Sequence, residues 1–252
     1  MKVKASIVLY AIIMGLLLVF SYSCEKDESN ESKGAAGTFT DKRDGNVYKF
    51  VTIGNQVWMA ENLKYLPEVV GPTIESWRAP CYYVYGYNGT NVKAAKSTAN
   101  YNTYGVLYNW LAAMGGTIST VNPSGVQGVC PKGWHLPSNA EWTELIDYLG
   151  GDEAAGGKLK ETGTTHWNSP NTGATNETGF TALPGGVRDY DDYDDDYGYE
   201  AFHSIGDRSY WWSASESYTG GAWIWYVFSG YSNIDRDNEG HACGFSVRCV
   251  RD

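Results

Sequence analysis

The chain has 252 residues and a formal charge of −10; 42% of its residues are hydrophobic and 15% aromatic, with 30 Gly, 10 Trp and 20 Tyr. The hydrophobic share is ample for a packed core. The acidic balance, with a pI near 4.9, argues against nucleic-acid binding and against electrostatic adsorption on anionic lipid, because both need clustered Lys and Arg.

The N-terminus reads as an export signal, residues 1–23. Lys2 and Lys4 precede an uncharged apolar run from Ala5 to Phe20. A spanning helix needs about 20 apolar residues, so this run has the length of a secretory h-region instead. Ser21 and Ser23 bracket Tyr22, and Cys24 follows. This stretch resembles a bacterial lipobox, with Ser21 where Leu is usual, so Cys24 is the expected lipidated first residue of the mature protein. Glu25-Lys26-Asp27-Glu28 resembles the acidic surface-export tag of Bacteroidota lipoproteins, which implies an outer-membrane location facing the cell exterior. Residues 24–37 are polar and charged, and read as a flexible tether. Residues 38–252 read as a single folded domain.

Asn46 to Ile53 and Gln56 to Ala60 read as two strands, with Gly54-Asn55 as their hairpin turn. Lys64 to Asn102 is irregular. Tyr104, Leu107, Tyr108 and Leu111 recur at helical spacing, and Gly115-Gly116 stops that helix. Ser138 and Glu141 form a capping box. Trp142, Leu145, Ile146 and Leu149 then make the apolar stripe of a helix that Gly150-Gly151 ends, and the stripe marks Trp142 as core. Phe180 to Leu183, Tyr210 to Ser213 and Trp223 to Phe228 read as strands. Ser229 to Gly240 reads as a polar loop, and Phe245 to Val250 as a closing strand. Helices ahead of short antiparallel strands indicate an α+β domain.

Nine stretches in order resemble the Fibrobacter succinogenes major paralogous domain family. They are residues 44–48, 53–63, 104–110, 130–138, 141–142, 156–161, 179–186, 211–215 and 244–252, and include Ile-Gly-Asn-Gln-Val-Trp-Met-Ala-Glu-Asn-Leu and Cys-Pro-Lys-Gly-Trp-His-Leu-Pro-Ser. The resemblance spans residues 39–252. It implies a C-type lectin-like fold with two helices, small antiparallel sheets and a long loop region, the last covering Asp189 to Ser209. The helix after Leu136-Pro137 would be the second of the two.

Three sets of residues bear on chemistry. Asp189, Asp191, Asp192, Asp194, Asp195 and Asp196 crowd together at the oxygen-ligand density that Ca2+ requires. Tyr197 stands where an EF-hand needs Gly and His203 where it needs Glu, so an EF-hand is rejected. The triplets with which Ca2+-dependent lectins hold sugars are also absent. The loop is a Ca2+ candidate through Asp191, Asp192, Asp194, Asp195 and Asp196, or a solvated charge run. No other cofactor is expected.

The second set is aromatic and polar. Trp223 and Trp225 share one strand face, and Ile224, Tyr226 and Phe228 the other. One face must be core. The other, continuing into Tyr231, Asn233, Asp235, Arg236 and Asp237, has the rings and hydrogen-bonding groups of a glycan or protein-ligand surface. The expected function is therefore non-enzymatic binding at the cell surface.

Cysteines are the third set. With Cys24 lipidated, Cys81, Cys130, Cys243 and Cys249 remain, an even set in an oxidising compartment. Four cysteines allow three pairings, and their spacing does not choose. The lectin-like resemblance implies Cys130–Cys249, a bridge from a helix-side segment to the last strand. It leaves Cys81 and Cys243 either bridged or free. A resemblance to formylglycine-generating enzymes supplies one alternative function, a thiol oxidase using Cys243 and Cys249, although the residues around them depart from that family's pattern; a structural cell-envelope component without a soluble ligand is the other. His135 reads as structural, and His166, His203 and His241 lack paired metal-ligand spacing.

Overall fold

The computed structural model describes residues 35–116, 125–189 and 201–252. The leader, Cys24, the acidic tag and Asp191, Asp192, Asp194, Asp195 and Asp196 lie outside these. Among the described residues no helix is long and apolar enough to cross a membrane.

The domain is α+β. Strands β1 (Ala36–Thr40), β2 (Val47–Ile53) and β3 (Gln56–Met59) form an antiparallel meander. Gly54, at φ 59°, makes the expected β2–β3 turn. β1 starts inside the segment read as tether: Ala36 to Thr40 pair with Val51 to Val47, so ordered structure begins before residue 38. Short elements follow: β4 (Tyr82–Tyr83), α1 (Val92–Lys96), α2 (Ala99–Tyr104), β5 (Leu107–Tyr108), α3 (Trp110–Ala113) and β6 (Trp134–His135). Next come α4 (Asn139–Tyr148), α5 (Asp152–Leu159) and β7 (Gly185–Arg188). The chain closes with β8 (Phe202–Ile205), β9 (Arg208–Tyr218), β10 (Gly221–Phe228), β11 (Ile234–Gly240) and β12 (Val250–Arg251). One five-stranded sheet has the order β1-β2-β3-β12-β6, and the other β11-β10-β9-β7-β8.

The helix expected across Tyr104 to Leu111 does not form. Gly105, at φ 82°, ends α2, and a β-carbon there would lie 2.7 Å from the Leu63 carbonyl oxygen. Leu107 and Tyr108 instead pair with β4, and the Tyr108 amide donates to Phe245 O at 2.8 Å. The two principal helices are thus the consecutive α4 and α5. The capping box of α4 is present, with Ser138 and Glu141 satisfying each other's backbone amides.

Three more readings are corrected. Phe180 to Leu183 forms only an isolated bridge, Lys160 to Ala182, and the adjoining glycines form β7. Phe245 to Val250 is buried throughout, makes isolated bridges at Phe245 and Ser246, and enters a regular strand only at Val250. The polar segment Ser229 to Gly240 contains β11, paired in continuous register with β10 from Gly221↔Gly240 to Val227↔Ile234. β11 is an edge strand. Its charged residues tolerate water on one side and discourage pairing with another chain, which hides its strand character from hydrophobic periodicity.

β9 and β10 divide the core. Tyr210, Trp212 and Ile224 face a cluster with Tyr108, Trp110 and Phe245. Trp211, Trp225 and Val227 face the other way, onto Trp58, Trp142, Leu145 and Phe180, and Ile234 of β11 joins them. Truncating any of these fully buried Trp side chains would cost about 3–5 kcal/mol. Cys130 and Cys249 are disulfide-bonded across 119 residues of chain, tying the segment before β6 to the residue that precedes β12. Cys81 and Cys243 are free and buried.

Candidate functional site

The regular β10–β11 register sorts the aromatic and polar residues by face. Directly paired residues point to the same side of a sheet, and alternate residues along a strand share a side. Trp223↔Asn238 and Trp225↔Arg236 therefore face one way, and Tyr226↔Asp235 and Ile224↔Asp237 the other. The ligand set read from the sequence is split. Asp235 and Asp237 lie on the face opposite Trp223. Asn233 is spent on a 2.6 Å hydrogen bond to Asp235. Tyr231 is 60% exposed, but its ring packs on Phe228 and its carbonyl accepts from buried Lys160 at 2.7 Å.

Trp225 also leaves the set. It is 4% exposed and stacks on Trp142 with ring centroids 6.4 Å apart, because α4 covers the inner end of this sheet face. Trp223, one pair further out, is only half-buried. The exposed guanidinium of Arg236 lies over it, 4.4 Å from the ring centroid.

Beyond Trp223 the next pair on this face is Gly221↔Gly240. Neither has a side chain, and two aromatic rings occupy the space. A β-carbon on Gly240 would sit 3.3 Å from the Trp77 ring, and one on Gly221 would collide with the Tyr218 ring. Trp77 is 59% exposed and Tyr218 53% exposed. Thr219-Gly220 closes the β9–β10 hairpin, with Gly220 at φ 91° as the turn requires. Trp77, Tyr218 and Trp223 thus make an aromatic strip, with Asn238 and Arg236 as its polar members.

Trp77 is held from beneath. The buried Asn109 amide donates to Ser76 O at 3.0 Å and Ala79 O at 2.9 Å. Tyr83 Oη donates to Ile74 O at 2.7 Å, and fully buried Arg188 donates to Pro72 O at 2.7 and 2.9 Å. These bonds fix the loop at four carbonyls, so the indole is presented with little left to order on binding.

The other chemistry-bearing groups do not converge here. His135 bridges Glu141 and Asp252, His166 contacts Glu161, His203 contacts Ser204, and His241 stacks on Trp110. Asp189, Glu239 and Cys243 bring donor atoms within 4.8 Å of one another. The Cys243 thiol donates to Asp189 at 3.1 Å, and burial pushes its pKa up, so it sits there as a protonated thiol. Cys249 is in the disulfide with Cys130 and separated from Cys243 in role. Of the two cysteines named for the oxidase reading, Cys243 is a free thiol and Cys249 is not.

The sequence reading named Trp223 and Arg236 and did not single out Trp77 and Tyr218, which the structure places on the same sheet face. The glycines at 220, 221 and 240 are the signal that was available, since bare backbone in strands marks a close approach. A family model for the Fibrobacter succinogenes major domain matches residues 51–251. The chain belongs to this family. In this member of the Fibrobacter succinogenes major domain family, the match includes Trp77, Tyr218, Trp223, Arg236 and both half-cystines. No curated protein and no solved structure matches the chain.

Proposed function

We propose that this protein is a lipid-anchored cell-surface module that binds glycans through Trp77, Tyr218 and Trp223. The observation that carries the reading is three partly or largely exposed aromatic rings on one sheet face, two of them lying over Gly221 and Gly240. A pyranose has an apolar C–H face that stacks on an aromatic ring, and hydroxyls that need donors and acceptors at its edge. Asn238 and Arg236 supply these beside the rings. The lipid anchor rests on the leader and Cys24. The C-type lectin-like architecture is part of the same proposal, supported by the family membership and by a disulfide that joins the β6 side to the chain end.

A glycan array with the purified protein tests the reading, with and without Ca2+. Trp77→Ala and Trp223→Ala should each weaken the captured glycans by about 2 kcal/mol, roughly 30-fold, the usual cost of truncating an aromatic anchor. Glycan capture unaffected by both substitutions, or no capture at all, would refute it.

A further inference from the structure

Arg236 marks the class of glycan. We infer that the strip takes acidic sugars, with the guanidinium of Arg236 receiving a carboxylate while the ring that carries it stacks on the neighbouring aromatic platform. The inference rests on the glycan-binding reading above and adds the charge of the ligand.

Three observations lead there. First, Arg236 is exposed, yet it is not loose: it lies over Trp223 at 4.4 Å and within 5.7 Å of the Trp225 centroid. A guanidinium held against an indole face keeps N–H donors that the ring does not use. Second, among the described residues no carboxylate pairs with it, although the chain carries 29 Asp and Glu. Its sequence neighbours are directed elsewhere. Asp235 accepts from Asn233 at 2.6 Å, and Asp237 Oδ1 accepts from the backbone N–H of Asn238 at 2.8 Å. Both belong to the opposite face of the strand by the β10–β11 register.

Third, the pairing order sets the spacing. Gly240, under Trp77, and Arg236 are four residues apart on one strand with Asn238 between them. At about 3.3 Å per residue this is roughly 13 Å, the length of two to three linked pyranose rings. A ring on Trp77, an edge contact at Asn238 and an acid group at Arg236 fit one extended oligosaccharide. A protein with net charge −10 repels anions at long range. Preference for an acidic sugar must therefore come from a local cation, and planar bidentate recognition of carboxylate is what arginine does best.

The experiment compares a galacturonate trisaccharide with its methyl ester, which keeps the rings and removes the charge. Both are titrated by calorimetry into the wild-type protein and into Arg236→Gln, Arg236→Lys and Trp77→Ala, each first checked for an unchanged melting temperature. The expected result is at least tenfold tighter binding of the acid than of the ester by the wild type. Arg236→Gln should abolish that preference, bringing the affinity for the acid down to that for the ester. Arg236→Lys should keep a reduced preference, and Trp77→Ala should weaken both sugars alike. Equal affinity for acid and ester, or a preference that survives Arg236→Gln, overturns the inference and leaves glycan binding standing. If neither sugar binds and the array captures only neutral glycans, the inference fails alone; if the array captures nothing, the glycan reading fails with it.

Discussion

The Trp77 indole rests on the backbone of Gly240, with 3.3 Å between its edge and the point a β-carbon would occupy. Gly240 has an ordinary strand backbone and is absent from the positions with left-handed φ, so a branched side chain is compatible with the chain there. Gly240→Val should fold with a melting temperature within about 2 °C of wild type, because Val suits strands. It should also lift Trp77 off the sheet, raising its quenching by acrylamide and lowering glycan affinity by a factor of about ten or more. Unchanged quenching and affinity would show that the ring does not depend on that shelf.

Arg248 is, with Arg188 and Lys160, one of three fully buried cations among the described residues. It is fully buried and donates to Asn62 Oδ1 at 2.9 Å and to the carbonyls of Met59, Phe180 and Thr181. Burial pulls its pKa down to about 9. Arg248→Ala would remove a donor from four acceptors, of which Asn62 Oδ1 keeps its 3.1 Å bond from Trp211 Nε1, and leave a cavity against Phe180 and Trp211. A loss of about 3–5 kcal/mol is expected in urea unfolding, as for other broken buried charge networks. A loss under about 1 kcal/mol would mean that water replaces the guanidinium without penalty.

His135 gives stability a pH dependence. Its ring nitrogens lie 2.6 Å from Glu141 and 2.8 Å from Asp252. The Glu141 hydrogen bond raises its pKa most, burial opposes, and Asp252 adds to the rise. A raised folded-state pKa means stabilisation that is complete below the unfolded value of 6.5 and lost as pH climbs through the folded value. Melting-temperature differences between wild type and His135→Gln should be largest near pH 6, on the order of 1 kcal/mol or 2–4 °C, and shrink above the folded pKa. A difference that is constant with pH would remove the charged imidazole from this account.

The disulfide closes a loop of 119 residues. The chain-entropy model gives about 4–5 kcal/mol for such a loop, with smaller values common in practice. Replacing Cys130 and Cys249 together by Ala should lower the melting temperature by roughly 8–15 °C. In the intact native protein, Cys81 and Cys243 should resist alkylation until unfolding, since both are buried. Cys130 and Cys249 should react only after reduction. A non-reduced peptide joining Cys81 to Cys243 would contradict this thiol assignment.

Local signals were legible wherever one segment decides its own conformation. The hairpin at Gly54, the capping box of Ser138 and Glu141, and the Trp142 stripe needed no distant partner, and each is present as read. The α+β class followed from them. Misreadings arose where two patterns coincided. Tyr104 to Leu111 has helical spacing, but Gly105 takes φ 82° and the backbone beyond it pairs with Tyr82, Tyr83 and Phe245.

The strip itself shows where sequence stops. Period-2 alternation put Trp223 and Trp225 on one face, and they are on one face; it could not say that α4 reaches Trp225 and ends before Trp223. Ser229 to Gly240 carries no hydrophobic period because an edge strand needs a partner on one side only. Its pairing with β10 alone separates Asp235 and Asp237 from Arg236. Trp77 lies in an irregular loop, far along the chain from Gly220 and Gly240, and its place on them is held by Asn109, Tyr83 and Arg188. The sequence by itself determined the class of fold, the family and the strand faces, because those follow from local backbone preference and alternation. The tertiary structure decided which rings stay in water, because that depends on how far one packed layer extends over another.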